Sequence, residues 1–247
     1  LIAKKEIDSA RQRVSKNIKA HNDEIVFTAS GTEANNLAII GSLKAFEGGI
    51  EGKNILISSI EHSSVLEAAK SMKDFGIEIR YIPVDEKGIV NLEYIKENID
   101  QNTILVSVMM VNNEIGILEP INDILKIIRH KRKEMNSVYP VFHTDACQAP
   151  LYIEIDLEKM GVDMLTLDGH KIYGPRGIGM LYKRRGVNLK PIIFGGNQEG
   201  GLRAGTENLP AIIGFAHALE KGVDSRDQEY YRIKEIRDYF IKGLLKI

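Results

Sequence analysis

The stretch "TILVSVMMV", residues 103–111, is apolar on consecutive positions rather than on alternate ones. Such a run is typical of a strand that is buried on both faces, as in a parallel sheet covered by helices. Six further runs predict strands, at 24–28, 54–60, 77–83, 139–144, 162–167 and 177–182. Helical patterns lie between most of them, at 32–46, 63–74, 91–98, 121–134, 207–221 and 226–245. The alternation predicts a three-layer α/β/α domain with a mostly parallel, mixed sheet of about seven strands.

Composition bounds the class of protein. The chain of 247 residues is 43% hydrophobic, which is enough to fill the core of one large α/β domain. Its 33 basic and 34 acidic side chains leave a net charge of −1, so the balance indicates neither nucleic acid nor an anionic membrane as a partner. The single cysteine, Cys147, allows no disulfide within the chain and favours a reducing cytoplasm.

The two ends of the sequence suggest a piece of a longer protein. The chain begins without methionine on a helical pattern. It ends on "YYRIKEIRDYFIKGLLKI" (230–247), an amphipathic helical pattern without a capping glycine beyond it. We therefore expect a fragment.

Polar residues follow five of the predicted strands directly. In an open α/β sheet, ligands bind outside the carboxyl ends of the strands, so these residues are candidates for one shared site. The five groups are Ser30-Gly31-Thr32, Glu61-His62, Asn112-Asn113-Glu114, Asp145-Ala146-Cys147-Gln148 and Asp168-Gly169-His170-Lys171.

The first group resembles the start of a helix that binds an anion. Ser30 precedes Glu33 by three residues, a capping-box pattern that starts a helix near Gly31. Free backbone N–H groups at a helix N-terminus, with Gly31 and the Thr32 hydroxyl, suit a phosphate. An ordinary capped helix explains the same pattern. The segment is neither a Walker loop nor a dinucleotide fingerprint, which disfavours a nucleotide cofactor.

Two ionisable residues add a chemical hypothesis. A carboxylate at Asp145, after a buried strand, is costly without a cation such as a protonated ring nitrogen, an arginine or a metal. A helix N-cap is the alternative for Asp145. Lys171, at the mouth of another strand, is a candidate Schiff-base nucleophile, although most lysines in loops are simply solvated. A phosphate site, a buried acid and a Schiff-base lysine are together what pyridoxal 5'-phosphate requires.

Other candidate residues leave alternatives open. His62 is either a helix-start residue without a task or a ring that stacks on a cofactor and moves protons. The pairs His143-x-Asp145 and Asp168-x-His170 permit a metal site, but no established metal-ligand motif reinforces it. Cys147 lies at the start of a predicted helix, where a thiol can be activated, but packing is the favoured interpretation.

Six segments carry a resemblance to a known family. They are "FTASGTEANNLAIIG" (27–41), "EHSSVLEAA" (61–69), "ILVSVMMVNNEIGILEPI" (104–121), "HTDACQA" (143–149), "DGHKIYGPRGIGMLY" (168–182) and "GGLRAGTENLPAIIGFAHAL" (200–219). In this order they resemble the cysteine desulfurases of the class V aminotransferase family, which are fold-type I enzymes dependent on pyridoxal phosphate. The resemblance spans nearly the whole chain.

The resemblance implies roles around the cofactor ring. Lys171 would form the Schiff base with the cofactor, and Asp145 would keep the pyridine nitrogen protonated. Gln148 would bond the phenolic oxygen, and His62 would stack on the ring as a second catalytic residue. Asn113 would contact the substrate.

The resemblance also implies how the phosphate is held. Gly31, Thr32 and His170 would bind it, and Thr206 would reach the phosphate of the neighbouring subunit in a homodimer. Many desulfurases carry a serine where this chain has Asp168. A carboxylate there would repel a phosphate unless it is turned away or protonated.

For the whole protein, the resemblance implies conversion of L-cysteine to alanine, with the sulfur passed to a thiol as a persulfide. It divides the chain into a cofactor-binding large domain (1–222) and a helix (223–247) leading to a small C-terminal domain that carries the persulfide cysteine. Cys147 would not be that cysteine, so we expect this chain to bind cofactor without completing sulfur transfer. The sulfur acceptor would be an iron–sulfur scaffold or a tRNA-thiolation protein. A selenocysteine lyase, a cysteine sulfinate desulfinase and a non-catalytic cofactor-binding or dimerising fragment are the alternatives.

Overall fold

A computed structural model describes residues 2–246 as a seven-stranded sheet between layers of helices. The strands are β1 (Ile25–Thr28), β2 (Asn54–Ser58), β3 (Glu78–Ile82), β4 (Thr103–Ser107), β5 (Val141–Asp145), β6 (Met164–Asp168) and β7 (Gly179–Lys183). The helices are α1 (Ile2–Ile18), α2 (Gly31–Ala45), α3 (Ser63–Lys70), α4 (Leu92–Asn98), α5 (Ile121–Glu134), α6 (Leu157–Met160) and α7 (Leu209–Leu244). The predicted fold class is confirmed.

The sheet is mixed but mostly parallel, as predicted. Its strand order is β1-β7-β6-β5-β4-β2-β3. Neighbours from β6 to β3 pair in parallel, whereas β7 is antiparallel to both β1 and β6. All strands except β7 therefore end at the same edge of the sheet. This edge is where the polar groups of the sequence are expected to meet.

Helices cover both faces of the sheet, which explains the consecutive apolar residues of the central strands. Leu56 of β2 packs into a core with α1, α5 and α7, and its neighbour Ile57 packs into a second core with α2 and α3. Each residue of β2, β4, β5 and β6 is buried, whereas the edge strand β3 is partly exposed. Burying a Leu or Ile side chain fully stabilises the fold by roughly 1.5–3 kcal/mol.

Two predictions about helices are wrong. The helices expected at 207–221 and 226–245 are one continuous helix, α7, with 36 residues. Gly222 lies inside this helix, where the Leu151 side chain packs so closely that an added Cβ would come within 2.4 Å of it. The cost of about 1 kcal/mol for a glycine in a helix is small enough for tertiary packing to override. The chain after Asp145 forms turns up to α6 rather than a helix, so Cys147 does not lie at a helix start.

The two halves of α7 differ in burial. Its first part buries Phe215 and Leu219 against the sheet and α1, whereas its last part exposes Tyr231, Tyr239 and Phe240. The helix runs through the predicted boundary between 222 and 223, and the division into two units stays a prediction. Within residues 2–246, no helix combines the length and the apolar character that crossing a lipid bilayer requires.

Candidate active site

A cavity of about 190 Å³ lies at the edge where the parallel strands end. Eight of the nine predicted site residues line it: Gly31, Thr32, His62, Asn113, Asp145, Gln148, His170 and Lys171. Two polar residues that were not predicted, Asn35 and Ser64, line it as well. Segments distant in the sequence are thus brought together at the expected place.

The helix α2 begins at the cavity through its capping residue. The Ser30 side chain accepts a hydrogen bond from the Glu33 backbone N–H at 3.1 Å. Glu33 in turn accepts from the backbone N–H of Ala29 at 3.1 Å, a variation on the predicted capping box. Gly31 is the first helical residue, and an added Cβ would lie 3.0 Å from the Asp168 carboxylate and 3.1 Å from the Cys147 sulfur. The glycine is required by this close approach.

Asp145 is a buried acid without a cationic neighbour. It ends β5, is 7% exposed, and accepts hydrogen bonds from the Asn35 side chain at 2.7 Å and the Cys147 N–H at 2.9 Å. Within residues 2–246 no lysine, arginine or histidine nitrogen lies within 4.0 Å of its oxygens. A buried carboxylate favours a cationic partner, and a protonated pyridine nitrogen meets that requirement.

Asn35 orients this carboxylate and was missed in the sequence. Its amide nitrogen donates to Asp145 and also to the Ser64 hydroxyl at 2.8 Å, and its amide oxygen is buried without a partner in the described chain. The available signal was an asparagine among apolar residues on the buried face of α2, next to Ala34. Such a residue needs polar partners, and the sheet edge supplies them.

Lys171 lies on a short 3₁₀ turn, Gly169–Ile172, directly after β6. Gly169 allows that turn because a Cβ there would come within 2.7 Å of Ile178 and 2.8 Å of the Pro175 carbonyl oxygen. Lys171 is exposed rather than buried, and no carboxylate oxygen in the described part of the chain lies within 4.0 Å of its side-chain nitrogen. An amine that lines a cavity without an acidic partner can react with an aldehyde there.

His62 is the N-cap of α3. Its Nδ1 accepts a hydrogen bond from the Ser64 N–H at 3.1 Å, which leaves the proton of the neutral ring on Nε2. The ring itself is exposed and lines the cavity. His62 therefore caps a helix and also presents its ring to the cavity, and its stacking on a cofactor stays a prediction.

Asp168 is not turned away from the predicted phosphate ligands. It is 6% exposed, and its Oδ2 accepts a hydrogen bond from the Gly31 N–H at 2.7 Å. Its Oδ1 accepts from the His170 N–H at 3.1 Å and lies 2.6 Å from the His170 ring nitrogen Nδ1. The residue that departs from the family pattern thus engages two of the three groups predicted to hold the phosphate.

Glu61 is a buried acid whose partner the sequence did not predict. Its Oε1 accepts from the Met109 N–H at 2.5 Å, and its other oxygen has no partner in the described chain. Burial raises the pKa of the Glu61 carboxyl well above its usual range, against the effect of that hydrogen bond. The contact ties the loop before His62 to the chain after β4, and so sets the positions of two cavity walls.

The metal alternative is not supported by the geometry of its residues. Both ring nitrogens of His143 already have partners, Ser107 Oγ at 2.9 Å and Thr166 Oγ1 at 3.0 Å. Burial lowers the pKa of His143 to about 4, so the ring is neutral at pH 7. Among the residues that the structure describes, no group of three histidine, cysteine or acidic side chains is arranged to hold a metal ion.

Cys147 is partly exposed at the cavity, but its surroundings do not activate the thiol. Burial, followed by the nearby Asp145 carboxylate, raises the pKa of this thiol well above its usual value. An unactivated thiol is a poor nucleophile at neutral pH. This fits the packing interpretation of Cys147.

The ninth predicted residue, Thr206, lies outside the cavity. It is exposed and borders a hollow of about 130 Å³ with Arg203. A larger depression of about 1050 Å³ lies beside α1, where the charges of Arg11 and Glu199 are already paired at 2.6 Å. Size therefore does not identify the site, whereas the buried Asp145 carboxylate of the small cavity, which has no cation within 4.0 Å among the described residues, does.

A three-layer α/β/α domain with a lysine and a buried acid at the carboxyl ends of its parallel strands defines the large domain of fold-type I enzymes that depend on pyridoxal phosphate. The profile of the family described as aminotransferase class-V matches residues 2–245, and the chain belongs to that family. The prediction of the family from its motifs is confirmed.

Individual relatives agree with this assignment. The chain is 46% identical over 245 residues to cysteine desulfurase IscS 1 of Archaeoglobus fulgidus, a match that covers 99% of the chain and 62% of the relative. A solved structure of a NifS-like protein superposes with a TM-score of 0.93 at 36% identity, covering 99% of the chain and 65% of that protein. A structure titled "SspA in complex with cysteine" has a TM-score of 0.79 at 39% identity, covering 88% and 61%. The chain spans about 60% of the length of the curated relatives it matches.

Proposed function

We propose that this chain is the cofactor-binding domain of a cysteine desulfurase. The observation that carries the proposal is the cavity in which Asp145 and Lys171 lie together. Among residues 2–246, Asp145 is a buried acid with no cation within 4.0 Å, and Lys171 is an amine with no carboxylate within 4.0 Å. The curated relatives named cysteine desulfurase and the neighbour solved with cysteine support the substrate class.

Pyridoxal phosphate, when bound, supplies an aldehyde that captures the substrate amine and a ring that delocalises an electron pair released by the substrate. The Lys171 amine would hold that aldehyde. Asp145, which accepts a hydrogen bond from Asn35, would keep a proton on the ring nitrogen. His62 presents its ring to the cavity with Nε2 available for proton movement. Gln148 and Asn113 also line the cavity, where they would contact the phenolic oxygen and the substrate.

The proposed overall reaction converts L-cysteine and a thiol into L-alanine and a persulfide. The Cβ–S bond of cysteine breaks, the sulfur joins the thiol, and a proton takes its place on carbon. We do not propose Cys147 as the acceptor, because it lies in the cofactor-binding segment "HTDACQA" and because burial raises the pKa of its thiol. Since the chain holds a single cysteine, we place the acceptor thiol outside these 247 residues.

The partners of the whole protein follow as proposals. We propose a homodimer, in which Thr206 reaches the partner's phosphate. The exposure of Thr206, outside the cavity of its own chain, supports this role. The sulfur acceptor is an iron–sulfur scaffold or a tRNA-thiolation protein, and a cytoplasmic location is proposed from the single cysteine.

The test is reduction of the cofactor-loaded chain with borohydride, followed by peptide mapping. We expect a pyridoxyl group on Lys171 and loss of the visible absorption band in Lys171→Ala. Lys159→Ala, which removes an exposed lysine outside the cavity, is the matched control and retains the band. A band that survives in Lys171→Ala overturns the assignment. The whole protein with L-cysteine is expected to release alanine, and release from selenocysteine or cysteine sulfinate alone overturns the substrate.

A further inference from the structure

The site expected to bind the cofactor phosphate already contains a carboxylate of the protein, that of Asp168. We propose that the Asp168 carboxylate competes with the cofactor phosphate for the Gly31 N–H and His170, so that the phosphate contributes little to the affinity of this chain for its cofactor. The inference rests on the proposed binding of pyridoxal phosphate and concerns how this chain departs from its family.

The two anions need the same donors. Asp168 engages the Gly31 N–H through Oδ2 at 2.7 Å and lies 2.6 Å from the His170 ring nitrogen through Oδ1. The Gly31 N–H and the His170 ring N–H each direct one hydrogen towards one acceptor. A phosphate bound at the same place therefore has to remove the carboxylate from both donors.

Burial and hydrogen bonds hold the Asp168 carboxylate in place. Asp168 is 6% exposed and also accepts the His170 backbone N–H at 3.1 Å, which caps the turn that carries Lys171. The space above Gly31 is filled by this carboxylate and the Cys147 sulfur. Moving Asp168 therefore breaks the hydrogen bonds of a buried charge, which costs more than breaking those of a neutral group.

Electrostatics oppose the presence of both anions. A helix N-terminus offers the equivalent of roughly half a positive charge, and a carboxylate already exceeds it. A phosphate monoester adds roughly −1.5 to −2 charges at pH 7. The exposed Thr32, predicted as the third phosphate ligand, forms no hydrogen bond with Asp168 in the described chain. The ring-binding residues Asp145 and Lys171 are unaffected, so pyridoxal, which has no phosphate, keeps most of its contacts.

The experiment compares the dissociation constants of pyridoxal phosphate and pyridoxal for the wild-type chain, Asp168→Ser and Asp168→Asn. Serine keeps an oxygen that can cap the turn, and asparagine keeps the shape, so at least one neutral variant is expected to fold. Asp23→Ser, which makes the same change at an exposed ion pair with Arg185, is the matched control. Inorganic phosphate is the third probe, read as the rise in thermal unfolding temperature of the cofactor-free chain.

We expect the neutral variants to bind pyridoxal phosphate about tenfold more tightly or better, the scale of one hydrogen bond to a charged group. Their affinity for pyridoxal stays within about twofold of wild type, and inorganic phosphate stabilises them more than it stabilises wild type or Asp23→Ser. Equal or weaker binding of pyridoxal phosphate by both neutral variants overturns the inference. If neither aldehyde labels Lys171 in any variant, the proposed function fails. Inorganic phosphate then decides about Asp168, and an equal response of wild type and both neutral variants overturns the competition.

Discussion

His143 and Asp145 lie two residues apart on the same face of β5, and their surroundings differ in one respect. Both are buried, and both form hydrogen bonds with neighbouring side chains. His143 is neutral and has a partner for each ring nitrogen. Asp145 has hydrogen-bond donors but no cation within 4.0 Å in the described chain. All hydrogen-bonding groups of the His143 ring are satisfied within the fold, whereas the Asp145 carboxylate has no opposite charge beside it in the described chain.

This difference separates a structural polar group from a binding one. Hydrogen bonds satisfy a neutral ring fully, but they offset only part of the cost of burying a charge. A fold that retains such a charge is more stable when a cation binds there. The comparison therefore assigns ligand binding to the Asp145 end of β5 and stability to its His143 position.

The largest effect is expected from Asp145→Asn. The substitution keeps the shape but removes the charge that would pair with a protonated ring nitrogen. Breaking a buried pair costs about 3–5 kcal/mol, so the affinity for pyridoxal phosphate should fall by about 100-fold or more. The measurement is a spectroscopic titration of the cofactor-free chain.

The control for this variant is its own stability without cofactor. We expect the free energy of unfolding of cofactor-free Asp145→Asn to equal or exceed that of wild type, because an uncompensated buried charge is gone. An unchanged cofactor affinity would show that Asp145, like His143, needs no partner from a ligand, and would remove the distinction between them.

A smaller effect, on stability alone, is expected from His143 as the pH falls. Its pKa in the folded chain is about 4, below the ordinary value of 6.5, because of burial. The unfolded chain therefore takes up the proton first, so this contribution to stability is present above pH 6.5 and is lost as the pH falls towards 4. The loss amounts to about 2 kcal/mol between pH 7.5 and pH 5.

Urea unfolding of wild type and His143→Asn at these two pH values measures this contribution. The asparagine variant has no titrating ring, so its stability should fall less over the interval by that amount. Its affinity for pyridoxal phosphate at pH 7.5 should stay within about threefold of wild type. Parallel curves for the two chains would refute the assignment of the titration to His143.

The smallest effect is expected at Cys147, which follows Asp145 by two residues. Because the pKa of its thiol is raised by burial and by that carboxylate, iodoacetamide at pH 7.5 should label it far more slowly in the folded chain than in urea. Cys147→Ala should change the affinity for pyridoxal phosphate by less than about threefold. Fast labelling of the folded chain would mean that the thiol is activated.

Much of the fold follows from local patterns. The seven strands were predicted within a few residues. A short run of apolar residues indicates a buried strand whichever strands it pairs with. The false break in α7 shows the limit of such patterns. Gly222 is unfavourable in a helix by propensity, and its close contact with Leu151, distant in the sequence, gives no local signal.

The candidate site was predictable in location but not in detail. Polar groups after five strands indicated one edge of the sheet, and residues from all five groups line the cavity. Asn35 was missed because its task depends on Asp145, which is 110 residues away in the chain. Glu61 was grouped with His62, but its bond to Met109 spans 48 residues and has no local signature.

The sequence by itself determined the alternation of strands and helices, the family motifs and the set of residues at the sheet edge, since each depends on neighbours a few positions apart. Only the tertiary structure decided which of those residues have their charges matched. It left Asp145 without a cation among the described residues and brought the Asp168 carboxylate to the Gly31 N–H across 137 residues. The physical reason is that electrostatic and hydrogen-bond partners are chosen by distance in space, and the topology of the sheet sets that distance.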